Sequence, residues 1–372
     1  MVRKKGIQMN VTKRMLCIAL VLVMGVALAI PTQAAPVIDN MPDFVDLPAL
    51  RRKHNIISGV LLGVQETSFV AWHDGEFVFE EYRPGFDVDS IHPLNSATKA
   101  FLAAMVGVAI QDGYLECITQ PVHEFYPEAT IEPGQEHKYD LTIEHVLMMR
   151  SGLPWLTQRG SLDFMHAENS GLAAFETRIR HAPGTRWTYC GGAGMQIVMD
   201  IIERASGRCY YEYIRESLFE PLGMESAQWR IFTQDGRPVA GMGLYMNARD
   251  MVRFGLLYLN DGMIDDRRVL PEGWVDQTWD NQENSVALGF LPFNLLWFGN
   301  TINFFLWERL AGNSAGVSSR AQGFAGQLIS VYRETGLVIA RTGGAGIVGD
   351  GEGGWPLILN SGRHLYLIPS FW

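Results

Sequence analysis

The chain has 372 residues, of which 47% are hydrophobic and 11% aromatic, and its 30 basic and 40 acidic residues give a formal net charge of −10. This composition excludes a disordered chain and predicts a large buried core in one big domain or two intertwined ones. The acidic balance argues against a nucleic-acid partner, because phosphate binding needs a basic surface.

The first 34 residues have the layout of an export signal. Basic residues at positions 3, 4, 5, 13 and 14 precede an uncharged run of 16 residues from Met15 to Ile30, and small residues follow at Thr32-Gln33-Ala34. The run is short for a bilayer span of about 20 residues. We expect residues 1–34 to be a cleaved signal peptide, with a periplasmic or extracellular mature protein and no stable membrane span. The alternative is an uncleaved signal anchor that tethers the protein to the membrane.

Cleavage would leave three cysteines, Cys117, Cys190 and Cys209. An odd number in an exported protein allows one disulfide at most and leaves a free thiol. The sequence does not say which pair, if any, is bridged.

The central elements are indicated by turn and capping signals. The segment TSFVAWHDGEFVFEEYR holds two β-rich runs split by Asp74-Gly75, which predicts an antiparallel hairpin. The apolar run after Ser96 predicts a helix buried on most of its circumference. Three later helices are predicted: IEHVLMMRSG, capped by Thr142 and stopping at Gly152; MQIVMDIIERASG, ended by Gly207; and ARDMVRFGLLYLNDG, capped by Asn247.

Near the C-terminus, GFAGQLISVYRE and GLVIART predict a second hairpin joined at Glu334-Thr335-Gly336. Strands at both ends with helices between them predict a mixed α/β (α+β) fold, in which the terminal segments build one antiparallel sheet flanked by helices. We expect one domain over 35–372, with a sheet part at about 56–95 and 287–372 and an inserted, mainly helical part at about 96–286.

Ser96 and Lys99 stand three positions apart at the start of the first predicted helix. Positions i and i+3 share a helix face, so the lysine amine can reach the serine hydroxyl. An amine buried among Ala, Val and Met is poorly hydrated and can accept the serine proton as a general base. The alternative is a capping serine followed by a lysine on a solvated face, and the motif alone leaves both open.

Two later segments gain meaning beside this pair. Tyr189, in the turn PGTRWTYCGGAG, is a candidate proton shuttle, although a lone tyrosine in a turn is usually a packing residue. Gly323-Phe324-Ala325-Gly326 stands at the head of a predicted edge strand. A strand N–H there could supply half of an oxyanion hole, and the alternative is a bulge or bend.

Two other motifs are rejected from their context. Gly312-Asn313-Ser314-Ala315-Gly316 matches G-x-S-x-G, but VSSRAQGFAG follows it where the motif requires a helix. The G-x-G-x-x-G at Gly344–Gly349 continues into DGEGGWP, which cannot form the helix of a dinucleotide site. The nine histidines show no metal-ligand spacing, and His145 is expected to be a packed or hydrogen-bonded core residue, so we infer no metal.

The order of segments resembles the serine hydrolases of the penicillin-binding-protein and class C β-lactamase fold, the β-lactamase-related family. The resemblance runs from about Gly59 to Thr342 and points to the branch of family VIII-type esterases and 6-aminohexanoate-dimer hydrolases. It is carried by NSATKAFLAAMVGVAIQDGYL, LTIEHVLMMRSGLPW, PGTRWTYCGG, IIERASGRCYYEYIRESLFEPLGM, GLYMNARDMVRFGLLYLNDG, RVLPEGWVDQ and GFAGQLISVYRETGLVIARTG.

The resemblance implies that Ser96 is the acylated nucleophile, with Lys99 as its general base and Tyr189 as the proton shuttle. It implies an oxyanion hole built from the backbone N–H groups of Ser96 and Phe324, and no cofactor. Candidate substrate-binding residues are Gln322 and Gly323, from the third motif, and Trp155, from the loop after Gly152-Leu153-Pro154.

This chain departs from the family pattern at two positions. Gly191 stands where the second motif usually ends in asparagine, and Ala321 stands where β-lactamases and peptidases have a lysine or histidine that can bind a substrate carboxylate. We therefore expect an exported serine hydrolase of a small neutral ester or amide. The alternatives are a β-lactamase or D-Ala-D-Ala peptidase-like activity, and a non-catalytic cell-envelope binding protein that keeps the fold. The sequence does not indicate the oligomeric state.

Overall fold

The computed structural model describes residues 64–155, 160–279, 293–294, 297–298 and 318–345. The predicted signal peptide and the rejected serine at position 314 lie outside these residues. In chain order the described strands are β1 (Val64–His73), β2 (Glu76–Tyr82), β3 (His92–Pro93), β4 (Gln228–Trp229), β5 (Leu244–Met246), β6 (Met263–Ile264), β7 (Arg267–Arg268), β8 (Phe293–Asn294), β9 (Trp297–Phe298), β10 (Ser319–Gly323), β11 (Gln327–Tyr332) and β12 (Leu337–Ala345).

The α-helices of the described residues lie between β3 and β8 in the chain. None of them is long and apolar enough to cross a membrane. In chain order they are α1 (Thr98–Gln111), α2 (Ile143–Leu147), α3 (Ser170–Glu176), α4 (Ala193–Ser206), α5 (Tyr210–Ile214), α6 (Ala248–Leu259) and α7 (Trp274–Trp279).

Strands from both ends of the described chain form one antiparallel sheet of seven strands, in the order β2-β1-β12-β11-β10-β9-β8. β1 pairs with β12, with Val70 opposite Ala340. The predicted fold class is therefore confirmed. Both predicted hairpins form, and the turn between β1 and β2 places Asp74 and Gly75 at φ 48° and 93°, as a tight hairpin turn requires.

One prediction about this sheet is wrong. The strand that follows Gly323-Phe324-Ala325-Gly326 is not an edge strand, because β11 lies between β12 and β10. The segment SRAQG, which lacks a clear alternation of apolar and polar residues, forms β10 and pairs with the free side of β11. Gly323 is thus the last residue of one strand, and a short 3-10 turn at Phe324–Gly326 leads into the next.

The capping signals hold, with two changes of length. The helix predicted to run to Gly262 ends at Leu259. Thr142 and Asn247 accept hydrogen bonds from the first turns of α2 and α6, and Gly207 ends α4 at φ 68°. The helix predicted to run to Gly152 ends instead at Leu147. Met149 adopts φ 55°, and the N–H of Arg150 donates to the carbonyl of His145 at 2.7 Å, which closes the helix as a Schellman turn does.

Helix α1 lies at the centre of the molecule. Every residue of it from Thr98 to Ala109 is buried, as its continuous apolar sequence predicts. It packs against α4, and its Phe101 ring stacks on Phe254 of α6 with centroids 3.6 Å apart. The α6 helix lies against the sheet through Gly255, where a Cβ atom would stand 2.5 Å from Cγ1 of Val338. The start of α1 is therefore fixed from several sides.

Candidate active site

Ser96 lies in a 3-10 turn, Asn95–Ala97, directly before α1. The turn is anchored on one side by the N–H of Leu94, which donates to the carbonyl of Leu244 at 2.9 Å. On the other side it abuts β10, where a Cβ atom on Gly323 would lie 2.0 Å from the carbonyl oxygen of Leu94. Only glycine permits this approach, so Gly323 brings the end of β10 against the serine turn.

Lys99 is an interior residue. Its side chain is 2% exposed, and Nζ donates to Oγ of Ser96 at 3.0 Å and to the carbonyl of Gly241 at 2.7 Å. The solvated-face alternative for this lysine does not fit the structure. A buried amine without partners would be costly, and here the serine and a backbone carbonyl hold it.

Tyr189 also contacts the serine. Its hydroxyl donates to Oγ of Ser96 at 2.7 Å, and Nζ of Lys99 lies 5.1 Å from the centre of its ring. The residue is held by backbone, since the N–H of Thr188 donates to the carbonyl of Met149 at 2.7 Å. Lys99 lies three positions and Tyr189 lies 93 positions from Ser96 in the chain, and both side chains contact the Ser96 hydroxyl oxygen.

The turn after β10 is attached to the serine turn by a side chain. Asn95, at φ 51° and 5% exposed, donates from Nδ2 to the carbonyl of Phe324 at 2.8 Å. Arg341 donates from Nη1 to the carbonyl of Gly326 at 2.8 Å. The backbone at Phe324, a candidate oxyanion donor, is thus tied to the residue that precedes Ser96. The Phe324 side chain itself is 47% exposed.

Gly191, which stands where the family motif usually has asparagine, is closely surrounded by other atoms of the site. A Cβ atom on Gly191 would stand 3.0 Å from Cε of Lys99 and 2.9 Å from Cε1 of Tyr189. A Cβ atom on Gly241 would lie 2.2 Å from the carbonyl oxygen of Gly191. The space that a longer side chain would need is occupied, and the Gly241 carbonyl reaches the lysine there.

Aromatic rings line the side of Tyr189. Its ring centre lies 5.8 Å from that of Trp155 and 6.3 Å from that of Trp187, and the two tryptophans are 5.8 Å apart. Trp155 was a sequence candidate, whereas Trp187 was missed. Its signal was its spacing: in an extended segment, residues two apart point to the same side, and Trp187 precedes Tyr189 by two. Of the other candidates, Gln322 is half-buried in β10 and faces Leu328 across the ladder.

The three cysteines within the described residues are all free. Cys117 and Cys209 are exposed, whereas Cys190 is buried beside the site and receives a hydrogen bond from Oγ of Ser151 at 3.4 Å. Burial raises the pKa of the Cys190 thiol to about 11. Cys190 is therefore a packing residue and an inert thiol at neutral pH.

No cluster of three His, Cys, Asp or Glu side chains that could hold a metal ion occurs within the described ranges. His145 bonds through its ring nitrogen to Thr142 and completes the cap of α2. The arrangement at Ser96 is suited to acyl transfer. The Lys99 amine can take the proton of the serine hydroxyl, and the Tyr189 phenol can relay it. A backbone N–H in the turn after Gly323 can face an oxyanion.

Comparison with known proteins gives the family. The family model described as Beta-lactamase matches residues 57–343 of the chain. The 6-aminohexanoate-dimer hydrolase of Paenarthrobacter ureafaciens is 26% identical over 226 residues, which cover 56% of each chain. The chain spans about half the length of the curated relatives it matches.

Solved structures share the fold. A penicillin-binding protein homologue from Caulobacter crescentus superposes with a TM-score of 0.63 at 16% identity, covering 85% of this chain and 96% of that one. A family VIII carboxylesterase superposes with a TM-score of 0.63 at 14% identity, covering 83% of this chain and 93% of that one. At these identities the likeness shows the fold alone.

Proposed function

The chain belongs to the beta-lactamase family, a family of hydrolases with esterase, amidase and D-aminopeptidase members, and we propose that it is a serine hydrolase that cleaves an ester or amide through an acyl-enzyme on Ser96. The observation that carries the proposal is the convergence on Oγ of Ser96 of Nζ of Lys99 at 3.0 Å and the Tyr189 hydroxyl at 2.7 Å. A structural serine has no need of two such partners.

In the acylation step, Oγ of Ser96 attacks the carbonyl carbon of the substrate while its proton passes to Nζ of Lys99. The carbonyl π electrons move to oxygen, and the N–H groups of Ser96 and Phe324 stabilise the resulting oxyanion. The oxyanion then collapses, the bond to the leaving group breaks, and Tyr189 delivers a proton to the departing oxygen or nitrogen and receives in turn the proton that Lys99 had taken. The product of this step is an ester on Ser96.

In the deacylation step, a water molecule attacks that ester and loses its proton to the same base system. The second tetrahedral intermediate releases the acid and restores the Ser96 hydroxyl. Every proton that leaves Ser96 or water returns to the leaving group or to the serine. The two half-reactions therefore consume one water and need no cofactor.

The surroundings of the site favour a neutral, partly apolar substrate. Ala321 is buried and Gln322 carries no charge, so this end of β10 offers no cation for a substrate carboxylate. Trp155, Trp187 and the exposed ring of Phe324 offer apolar surface next to the reacting groups.

The proposal is tested with a fluorophosphonate probe, which phosphonylates activated serines. The wild-type protein should be labelled on Ser96, and the Ser96→Ala variant should not. Hydrolysis of short-chain nitrophenyl esters and of neutral amides should exceed that of nitrocefin and of a D-alanyl dipeptide.

Three results would contradict the proposal. Labelling that persists at Ser314 would place the nucleophile elsewhere. Preferred cleavage of nitrocefin or the dipeptide would point to β-lactamase or peptidase activity. A folded protein that reacts with none of the compounds would be a binding protein of this fold.

A further inference from the structure

Gln196 is a polar side chain in the buried part of α4. It is 0% exposed, as are its neighbours Met195 and Ile197. Burying an amide in an apolar core costs free energy unless its donor and acceptor groups are hydrogen-bonded. The groups that it binds therefore indicate why the core contains it.

Both ends of the Gln196 amide bind one short backbone segment. Oε1 accepts from the N–H of Ala240 at 3.3 Å, and Nε2 donates to the carbonyl of Pro238 at 3.3 Å. A carbonyl and an N–H on either side of one residue are the pair that a neighbouring β-strand would bind. The glutamine amide takes the place of that strand. Nε2 also donates to Oγ of Ser170 at 3.2 Å.

The segment that Gln196 holds leads directly to the lysine. Between the bridge at Pro238 and the start of β5 at Leu244 the chain belongs to no strand. Gly241, the residue after Ala240, lies in this stretch, and its carbonyl accepts from Nζ of Lys99 at 2.7 Å. Two backbone bonds also hold this segment: the N–H of Val239 donates to the carbonyl of Ile231 at 3.0 Å, and the N–H of Gly243 donates to the carbonyl of Val239 at 3.1 Å. The Gln196 amide adds the attachment to α4.

We propose that Gln196 is a positioning residue for Lys99, acting through the peptides from Pro238 to Gly241; this inference rests on the proposed function. A neutral amine has two N–H groups and one lone pair. In the structure Nζ donates one N–H to the Gly241 carbonyl and another to Oγ of Ser96. When the amine is neutral, the first of these bonds fixes the rotation of Nζ, and the lone pair takes the place of the second N–H and faces Oγ of Ser96. The serine proton moves to that lone pair as the bond from Oγ to the substrate carbon forms. A displaced carbonyl lets the amine turn away and slows this transfer.

The test compares Gln196→Met with a matched control, Ser170→Ala. Methionine has similar length and volume but cannot bind Pro238 or Ala240. The control removes the third partner of the same amide and leaves those two bonds in place. Each variant is measured for its melting temperature, its rate of inactivation by a fluorophosphonate, and kcat and KM for a short-chain nitrophenyl ester.

Because a shift of about 1 Å in a catalytic group can cost about a hundredfold, Gln196→Met should lower the inactivation rate and kcat by roughly ten- to a hundredfold, with KM within about twofold. Ser170→Ala should stay within about twofold of wild type. Gln196→Glu, which keeps the acceptor for the Ala240 N–H, should recover part of the rate. Gln196→Leu, a second apolar variant, is measured if the methionine variant does not fold.

The outcomes separate this inference from the proposed function. Wild-type protein that is not labelled and does not hydrolyse would remove the proposed function and the inference with it. An active wild type with undiminished inactivation and kcat in Gln196→Met, or in Gln196→Leu where that variant replaces it, would make Gln196 a packing residue only, whatever the melting temperature. Equal losses in Ser170→Ala and Gln196→Met would also overturn the inference.

Discussion

A Cβ atom on Gly241 would lie 2.2 Å from the carbonyl oxygen of Gly191, so the two glycines allow two backbone segments to meet beside the lysine. The family pattern has an asparagine side chain where this chain has Gly191. Here the Gly241 carbonyl contacts the amine of Lys99, a contact that a side-chain amide could also provide. Glycine at 191 is therefore part of a different local packing and not simply the loss of a polar group.

This packing makes a prediction about Gly191→Asn, which restores the usual residue of the family. Its Cβ would stand within about 3.0 Å of Lys99 and Tyr189, so one of the two side chains or the Gly241 segment must move. We expect kcat/KM for a nitrophenyl ester to fall at least about tenfold, since displaced catalytic groups slow the chemical step.

The control for that variant is Gly344→Ala, because a Cβ atom at this position in β12 meets no atom within 4 Å. It should keep wild-type kinetics. If Gly191→Asn were as active as wild type or more active, the site would have room for the asparagine. The interpretation that the Gly241 carbonyl provides the contact with Lys99 in its place would then be wrong.

Tyr189→Phe tests the proton shuttle. The ring and its contacts with Trp155 and Trp187 remain, and only the hydroxyl that donates to Ser96 is lost. We expect kcat to fall by about 10²- to 10⁴-fold, the usual contribution of a positioned acid or base. The melting temperature should hardly change, as in the control Tyr139→Phe, whose ring is 54% exposed. A loss of less than about threefold would assign proton delivery to another group.

Asn95→Gly tests the tie between the serine turn and the turn after β10. Glycine accepts the φ of 51° at this position but cannot donate to the carbonyl of Phe324. Removing one such bond should cost about 1 kcal/mol of stability. Because the backbone N–H of Phe324 would be held less firmly, we expect kcat to fall about tenfold with little change in KM.

Asp265→Gly is the matched control for this change, since Asp265 has φ 50° and is an exposed turn residue between β6 and β7. It should be fully active in the same ester assay. Equal activity of Asn95→Gly and wild type would show that the side chain serves only to support the turn.

The parts of this fold that could be predicted from sequence are those with local signals. Asp74-Gly75 has turn chemistry, and Thr142, Asn247 and Gly207 have capping chemistry, so the first hairpin, the starts of α2 and α6 and the end of α4 were placed correctly. Ser96 and Lys99 were recognisable because a helix brings positions three apart together. By contrast, β10 has no alternating pattern, and only its neighbours in the sheet make it a strand.

Other parts of the candidate site have no side-chain signature. The contact between Lys99 and the Gly241 carbonyl joins residues 142 positions apart through a backbone atom that every residue possesses. Gln196 stands in the sequence as one polar residue on an apolar face, which does not say what it binds. The meaning of Gly191 depends on the position of both Lys99 and Gly241, and is therefore a property of the tertiary structure.

The cysteines predict a pattern of alkylation. Cys117 and Cys209 are exposed, whereas Cys190 is buried and its pKa is raised to about 11, so almost no thiolate forms there at neutral pH. Treatment of the native protein with iodoacetamide at pH 7.5 should modify Cys117 and Cys209 first and Cys190 only after unfolding. Peptide mass spectrometry measures this order. A disulfide-linked peptide, or early modification of Cys190, would contradict the free-thiol structure.

His92 predicts how stability depends on pH. Burial lowers its pKa to about 4, its side chain is 6% exposed, and its Nε2 has no hydrogen-bond partner among the described residues. The unfolded chain binds a proton at this residue below about pH 6.5, whereas the folded protein does not bind it until about pH 4. The contribution of neutral His92 to the free energy of unfolding is therefore fully present above pH 6.5 and is lost as the pH falls towards 4. The loss is roughly 2 kcal/mol at pH 5.

The measurement is urea unfolding at pH 7.5 and pH 5 for wild type, His92→Leu and the control His137→Leu, whose side chain is 62% exposed. His145, whose pKa burial also lowers, and the carboxylates titrate in all three proteins, so the difference between them isolates the substituted residue. His92→Leu should lose roughly 2 kcal/mol less than wild type between the two pH values, and His137→Leu should match wild type. An equal loss in wild type and His92→Leu would mean that His92 is protonated in the folded protein, and that the stability at acid pH is governed by other groups.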